Sequence, residues 1–272
     1  MLKFIVVADT HIVPEGQLSH GLDTLARLEA AIAFINERHA DADFVVFAGD
    51  LADRGEADAY IRFKAAIADL NPSAILTLGN HDHRPTFLDI FGEELAGETG
   101  NVDHVIDHND TRVIVLDSSD PDLRGSGRLE PEQLSWLARQ LADAVDRQVV
   151  VVLHHNITPF HVQTDFIILE DADALVSVLR EAGNVRQVIS GHVHMTTSGT
   201  VGGVPFATFA GAHYSIDPTL ETRSGPVPAP VARREGPGQI AVALCDGQSV
   251  VVHMENFLDG NAVMPPELFS WN

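Results

Sequence analysis

Five stretches of this chain end an apolar run in residues that bind metal ions. They are Asp9-Thr10-His11, Gly49-Asp50, Gly79-Asn80-His81-Asp82, His154-His155 and Gly191-His192-Val193-His194. Imidazole nitrogen and carboxylate oxygen suit divalent ions of the manganese, iron and zinc kind. Asp9 and His11 stand two apart in an extended segment, so their side chains point to one side and can grip one ion together. His192 and His194 repeat that spacing. Asp50 brings two oxygens, which suits a bridge between ions, and Asn80 brings a neutral amide oxygen, a weaker ligand. Taken singly, each block is ordinary. Asp-x-His after a strand is more often a turn or a cap, Gly49-Asp50 and Gly79-Asn80 are common strand-ending turns, and His154-His155 reads as a core pair. Together they supply donors for two ions side by side, an arrangement suited to attack at phosphorus.

The elements that must position these blocks are legible from hydrophobic period. Phe4 to Ala8, Phe44 to Ala48, Ala74 to Leu78, Arg112 to Leu116, Val149 to Leu153 and Gln187 to Ser190 are short, β-rich apolar runs. Helical spacing separates them: Leu25, Leu28, Ile32 and Ile35; Tyr60, Phe63, Ile67 and Leu70; Leu134, Leu137 and Leu141 from about Glu130; and Asp171 to Glu181. Strands apolar on both faces, alternating with amphipathic helices, predict an α/β protein. Asp9, Asp50, Asn80, His154 and His192 each follow the carboxyl end of a strand, where open α/β sheets bind ligands. Beyond Gly191 a further strand is expected from Val204 to Ala210, then a Pro/Gly-rich loop from Ser224 to Gly238. A hairpin is expected next, with Ile240–Leu244 and Val250–His253 flanking the turn signal Asp246-Gly247. The tail carries Phe257, Leu258, Met264, Phe269 and Trp271, enough apolar surface to pack on its own domain or on another subunit.

Length and charge narrow the function. The 272 residues suit one large domain, or one with a small appendage. Acids outnumber bases 39 to 17, a formal net charge of −22 that argues against long nucleic acid and anionic membranes as partners. Two divalent ions would reverse that sign locally, since only Asp9 and Asp50 among the candidate ligands are carboxylates. The lone cysteine, Cys245, lies after an apolar run and fits a reducing compartment. Neither a signal peptide nor a run near the roughly 20 residues of a membrane span is visible. The expected location is the cytoplasm.

The five blocks, in this order, resemble the signature of the calcineurin-like metallophosphoesterases over about residues 4 to 195. The resemblance implies a four-layer αββα sandwich, two mixed sheets packed face to face with helices outside. It implies a catalytic domain over 1–210 and a C-terminal extension over 211–272, packed on the same core and serving as cap, hairpin and oligomer contact. It implies two divalent ions (Mn, Fe or Zn). Asp9, His11 and His194 would hold one, Asn80, His154 and His192 the other, and Asp50 would bridge. His81 would face the substrate and steady the phosphoryl oxygens or protonate the leaving alkoxide, with Asp82 orienting it. His155 is expected to be a structural neighbour.

Within the family the chain is most similar to bacterial class III cyclic nucleotide phosphodiesterases and to glycerophosphodiesterases. Asp9-Thr10-His11, Gly49-Asp50-Leu51, Leu116-Asp117-Ser118, Gly127-x-Leu129 and Leu134-x-Trp136-Leu137 carry this closer likeness. The expected activity is hydrolysis of a small phosphodiester by a metal-bridging hydroxide. The substrate would be a cyclic nucleotide, a glycerophosphodiester or a similar alkyl diester. The alternatives are a phosphomonoesterase or nuclease of the same fold, and a metal-binding scaffold without activity. Arg54, Arg84 and Arg128 are scattered candidates for clamping a monoester. Asn80, His81, His161, His213 and Tyr214 are the candidate substrate contacts, with Gln163 and Asp165 beside His161. The apolar tail implies a homodimer or higher homo-oligomer.

Overall fold

The computed structural model describes residues 1–216 and 233–259. Thirteen strands and five α-helices build it. In chain order they are β1 (Leu2–Val7), α1 (Thr24–Arg38), β2 (Phe44–Ala48), α2 (Ala57–Ile67), β3 (Ser73–Thr77), α3 (Arg84–Phe91), β4 (His104–His108) and β5 (Thr111–Leu116). There follow α4 (Pro131–Ala142), β6 (Gln148–Leu153), α5 (Ala172–Ala182), β7 (Val185–Ser190), β8 (Thr197–Val201), β9 (Val204–Thr208), β10 (Ser215–Ile216), β11 (Arg233–Arg234), β12 (Gly238–Cys245) and β13 (Val250–Leu258).

Two mixed sheets form, in the orders β13-β12-β1-β2-β3 and β4-β5-β6-β7-β9-β8. The central strands are parallel, and β12 and β13 in one sheet, β4 and β8 in the other, join antiparallel. Alternation along each strand divides its side chains between two cores. Phe4, Val6, Phe44 and Val46 meet Val113, Val115, Val150 and Val152 between the sheets. Ile5, Val7, Val45 and Phe47 turn outward onto Leu28, Ile32, Tyr60 and Phe63 of α1 and α2. Ile114, Leu116, Val149 and Val151 turn outward onto Trp136 and Leu137 of α4 and Leu175 and Leu179 of α5. The result is the expected four-layer αββα sandwich.

Local chemistry sets the helix ends. The Asp23 carboxylate caps α1 by accepting from Ala26 N at 3.1 Å. Pro131 opens α4, where its missing N–H costs nothing, and Gly183 closes α5 in the left-handed region. α2 stops at Ile67, short of Leu70, and the chain leaves it through tighter turns in which Asp69 N donates to Ala66 O and Leu70 N to Ile67 O. α3, β4 and β8 were not anticipated; β8 is largely exposed and carries no apolar pattern.

The hairpin around Asp246-Gly247 forms, and β12 lies against β1 inside the first sheet, with Ile240 and Val242 in one core and Ala241 and Ala243 in the other. Phe257 and Leu258, read as tail, belong to β13. Met264, Phe269, Trp271 and most of the Pro/Gly-rich loop lie outside the described residues. Leu28 is fully buried, whereas Ile61 on α2 is 56% exposed. Leu28→Ala should therefore cost about 2–5 kcal/mol in chemical denaturation, and Ile61→Ala less than about 0.5 kcal/mol.

Candidate metal centre

Each of the five blocks begins where a parallel strand stops, after β1, β2, β3, β6 and β7. There the backbone turns sharply. Asp9, His11, Asp50, His192 and His194 all have positive φ, between 44° and 72°. Such geometry is sparse for residues with a Cβ, costs about 1–3 kcal/mol each, and clusters at functional sites. Hydrogen bonds between the strand-end loops hold it: Asp9 N donates to Gly49 O at 3.1 Å, His11 N to Asp50 O at 2.9 Å and Gly191 N to His154 O at 3.1 Å. Glycine lets the loops approach. A Cβ at Gly49 would stand 2.7 Å from both Gly79 N and His154 Nδ1, and one at Gly79 would strike the Asp50 carboxylate and the His154 ring.

The donors converge. Ligand atoms of Asp9, His11 and His194 lie within 4.8 Å of one another, as do those of Asp9, Asp50 and His154. Asp50 Oδ2 stands between the two groups, 3.6 Å from His11 Nε2 and 3.2 Å from His154 Nε2. His192 Nδ1 is 3.2 Å from His154 Nε2. The far nitrogen of three of the rings is held by a carbonyl, and that of His11 lies near a carboxylate. His154 Nδ1 faces Ala48 O at 2.9 Å, His194 Nδ1 faces Tyr214 O at 2.8 Å, and His192 Nε2 faces Ile167 O at 2.7 Å. His11 Nδ1 lies 3.3 Å from Asp53 Oδ1. A carbonyl can only accept, so the inward nitrogen of His154, His192 and His194 is left with a lone pair when the ring is neutral. His11 Nε2 and Asn80 Oδ1 are buried without a hydrogen-bond partner, one in each of the two expected ligand sets. Buried polar atoms are rarely left unsatisfied, and both would be satisfied by a cation, so the donor set fits a metal pair.

A family model described as calcineurin-like phosphoesterase matches residues 2–196. The chain belongs to this family. A "probable cyclic nucleotide phosphodiesterase" of Rhodococcus erythropolis is 34% identical over 79% of this chain and 72% of its own. One of the same description from Rhodopseudomonas palustris is 32% identical over 94% and 93%. Among solved structures, a dimetal phosphatase from Danio rerio superposes with a TM-score of 0.68 at 16% identity, covering 95% of this chain and 97% of that one. That last likeness concerns the fold alone.

In this phosphoesterase His81 is exposed beside Asp50. Its backbone N donates to Asp50 Oδ1 at 2.9 Å and its ring Nδ1 faces Asp53 O at 2.6 Å. The expectation that Asp82 orients His81 is corrected. The Asp82 carboxylate instead accepts from Leu51 N, Ala52 N, Gly79 N and the Tyr60 hydroxyl, at 2.9–3.2 Å. It ties the second block to the third, and the carbonyl of Asp53 steers the His81 ring. Asp53 also takes Ser19 Oγ at 2.9 Å. Asp53 and Tyr60 escaped the sequence reading; Asp53 stands three residues after Asp50, the one signal available.

The outer residues divide. His213, expected at the substrate, is 1% exposed. Its Nε2 faces Ser19 O at 3.2 Å and its ring lies 4.7 Å from that of His11, so it backs a candidate ligand. The Tyr214 ring stacks on His194 at 4.1 Å and 7°. His161 is exposed, with φ of 60°, and stands outside the converging groups. Asp165 caps its own loop through Phe160 N and Val162 N. His155 is buried, 2.7 Å from Ser118 Oγ through Nδ1, and its ligand atom also lies within 4.8 Å of those of His154 and His192.

Burial governs the charges. It pushes Asp9 up to about 7, against the pull of the His154 charge and with the push of Asp50. Burial opposes charge on His154, but Asp50, by charge and hydrogen bond, outweighs it and raises that ring to about 9. Burial and then the His154 charge lower His192 to about 3. Burial likewise lowers His11 and His194, keeping these rings neutral, the form that donates a lone pair. Cutting the Asp82 knot tests its role. Asp82→Ala strands three N–H groups and a hydroxyl, so it should cost at least about 3 kcal/mol and lower metal content by elemental analysis. A variant with unchanged stability and metal content would show that the knot is not needed.

Proposed function

We propose that this chain is a dinuclear metal-dependent phosphodiesterase of small diesters: a cyclic nucleotide, a glycerophosphodiester or a similar alkyl diester. The observation that carries the reading is Asp50 Oδ2 standing between His11 and His154, with a buried unpartnered donor, His11 Nε2 or Asn80 Oδ1, in each ligand set. Asp9, His11 and His194 would hold one ion, and Asn80, His154 and His192 the other, with Asp50 shared. A pair of divalent ions there would supply Lewis-acid charge and lower the pKa of a bound water. Manganese, iron and zinc all suit this donor set.

The protein's own groups supply the rest. The strand-end loops fix the ligands before substrate arrives, so little reorganisation is needed during the reaction. Burial works against a proton on His81, but the Asp50 charge and the bond to the Asp53 carbonyl outweigh it, so its pKa is raised. With Nδ1 engaged by that carbonyl, Nε2 is the atom that carries the transferable proton. It would pass to the leaving alkoxide oxygen as the bond to phosphorus breaks.

Support for a diester over a monoester comes from the arginines. Arg84 and Arg128 are paired with Asp117 and with Asp120 and Glu170, and Arg54 is exposed beside Asp53. Neither Arg84 nor Arg128 is a free clamp for a dianion, and Arg54 points largely to solvent. The charge of −22 disfavours long nucleic acid, and no helix among the described residues is long and apolar enough to cross a membrane. A buried Cys245, with its thiol pushed up to about 11 by burial, suits the cytoplasm. Residues 211–272 are the proposed cap and homo-oligomer contact; exposed Val251 and Leu258 on β13 favour that role.

On metal-reconstituted protein, bis(p-nitrophenyl) phosphate should turn over faster than p-nitrophenyl phosphate, with cyclic AMP and glycerophosphoethanolamine as natural-type diesters. Preference for the monoester would move the chain to the phosphatases. No turnover with both ions bound would favour a scaffold. Asn80→Ala should loosen one ion and collapse turnover. His81→Ala should keep both ions yet slow substrates with poor leaving groups by about 10²–10⁴-fold.

A further inference from the structure

Beside the donor cluster opens a cavity of about 420 Å³, lined from Asn80 across to Arg84, Leu88, Glu93, Asp120 and Pro121. Small-molecule sites span roughly 300–1,000 Å³, so the space admits an arm of nucleoside or glycerol size. Asn80 belongs to both places: its orphaned amide oxygen serves the donor cluster, and the residue borders the cavity. A phosphoryl group held at the cluster would therefore have one ester arm directed at this space.

The cavity's charges decide what that arm can be. Arg84 Nε lies 2.8 Å from Asp117 Oδ2, and its Nη2 donates to Ser119 O and Oγ at 3.0 Å. Its charge is cancelled, while among the described residues Nη1 has no such partner and can still donate a hydrogen bond. Asp120 is matched by Arg128 at 2.7 Å. Glu93 is exposed, and among the described residues no cation pairs with it. Asp82 also borders the cavity, but its carboxylate is turned onto backbone N–H groups and the Tyr60 hydroxyl, so Glu93 is the exposed carboxylate left without a cation there. A second phosphate here would meet like charge with no compensating cation. A neutral arm with hydroxyls would find acceptors at Glu93 and Asp120, a donor at Arg84, and apolar contact at Leu88 and Pro121.

We propose that this cavity is the subsite for the non-phosphoryl arm of the diester and selects an uncharged, hydroxyl-bearing arm, with Glu93 as a specificity-determining residue. The inference rests on the phosphodiesterase reading and adds to it a cavity and a selectivity. The test compares thymidine 5′-(p-nitrophenyl phosphate) with its 3′-phosphorylated counterpart, two diesters with the same leaving group whose arms end in a 3′ hydroxyl and a charged 3′ phosphate. Wild-type, metal-reconstituted enzyme should prefer the neutral arm in kcat/KM by at least about tenfold, and Glu93→Lys should erase most of that preference; tenfold corresponds to about 1.4 kcal/mol. No preference in the wild type, or a preference that Glu93→Lys leaves in place, overturns the proposal.

Turnover of bis(p-nitrophenyl) phosphate separates the two failures. If it proceeds while the preference is absent, the subsite alone is wrong. If no diester is cleaved, the phosphodiesterase reading fails, and calorimetry reads the cavity without turnover. Thymidine should then bind more tightly than thymidine 3′-phosphate, with the gap closed by Glu93→Lys; equal binding overturns the subsite. A higher kcat/KM for cyclic AMP than for glycerophosphoethanolamine would assign the neutral arm to a nucleoside, and the reverse to glycerol.

Discussion

Everything at this site depends on five backbone positions, in three strand-end loops, that the chain would not adopt on its own. Asp9, His11, Asp50, His192 and His194 sit at positive φ, and at about 1–3 kcal/mol apiece the summed strain rivals the net stability of a domain. It persists because hydrogen bonds to neighbouring segments pin the strained residues and because the parallel strands hold the loops in place. The turns aim side chains that would otherwise follow the strand into the two cores. Without the sandwich the ligands would point into apolar packing; with it they point at one another.

That crowding sets the electrostatics. Asp9, Asp50 and six histidines, counting His155 and His213, are packed with almost no exposure. In such surroundings charge is tolerated only in pairs. Asp50 and His154 make one pair, and the remaining rings lose their protons. The acidic exterior and the cation-seeking interior are consistent, because solubility is a property of the surface and ligation a property of the buried cluster.

Much of this was legible in the sequence, for identifiable reasons. The strands that carry the blocks are short, β-rich apolar runs, and their ends coincide with the blocks. Resemblance supplied the sandwich that period alone could not, since alternation does not say which sheet a strand joins. What stayed hidden was side-chain partnership across distance. Asp82 sits next to His81 in the chain, yet its carboxylate turns to Leu51, Ala52 and Tyr60. Successive residues in a tight turn diverge, so adjacency was a poor guide. His213 likewise was expected at the substrate and is buried behind His11. α3 is short and follows directly on the third block, with His83 as its cap; the metal motif masked the capping signal.

The placement of β12 has a temporal consequence. β1, which delivers Asp9 and His11, is flanked by β2 on one side and by β12 on the other. During synthesis β1 leaves the ribosome well before β12 and lacks that neighbour until residues 238–245 emerge. At about 5–20 residues per second that interval lasts on the order of ten seconds or more. Throughout it an apolar strand edge next to the first metal block is open to solvent and to other nascent chains. The hairpin of β12 and β13 closes that edge late, which makes the assembly of the first sheet, and with it the seating of Asp9 and His11, a late event in the life of each molecule.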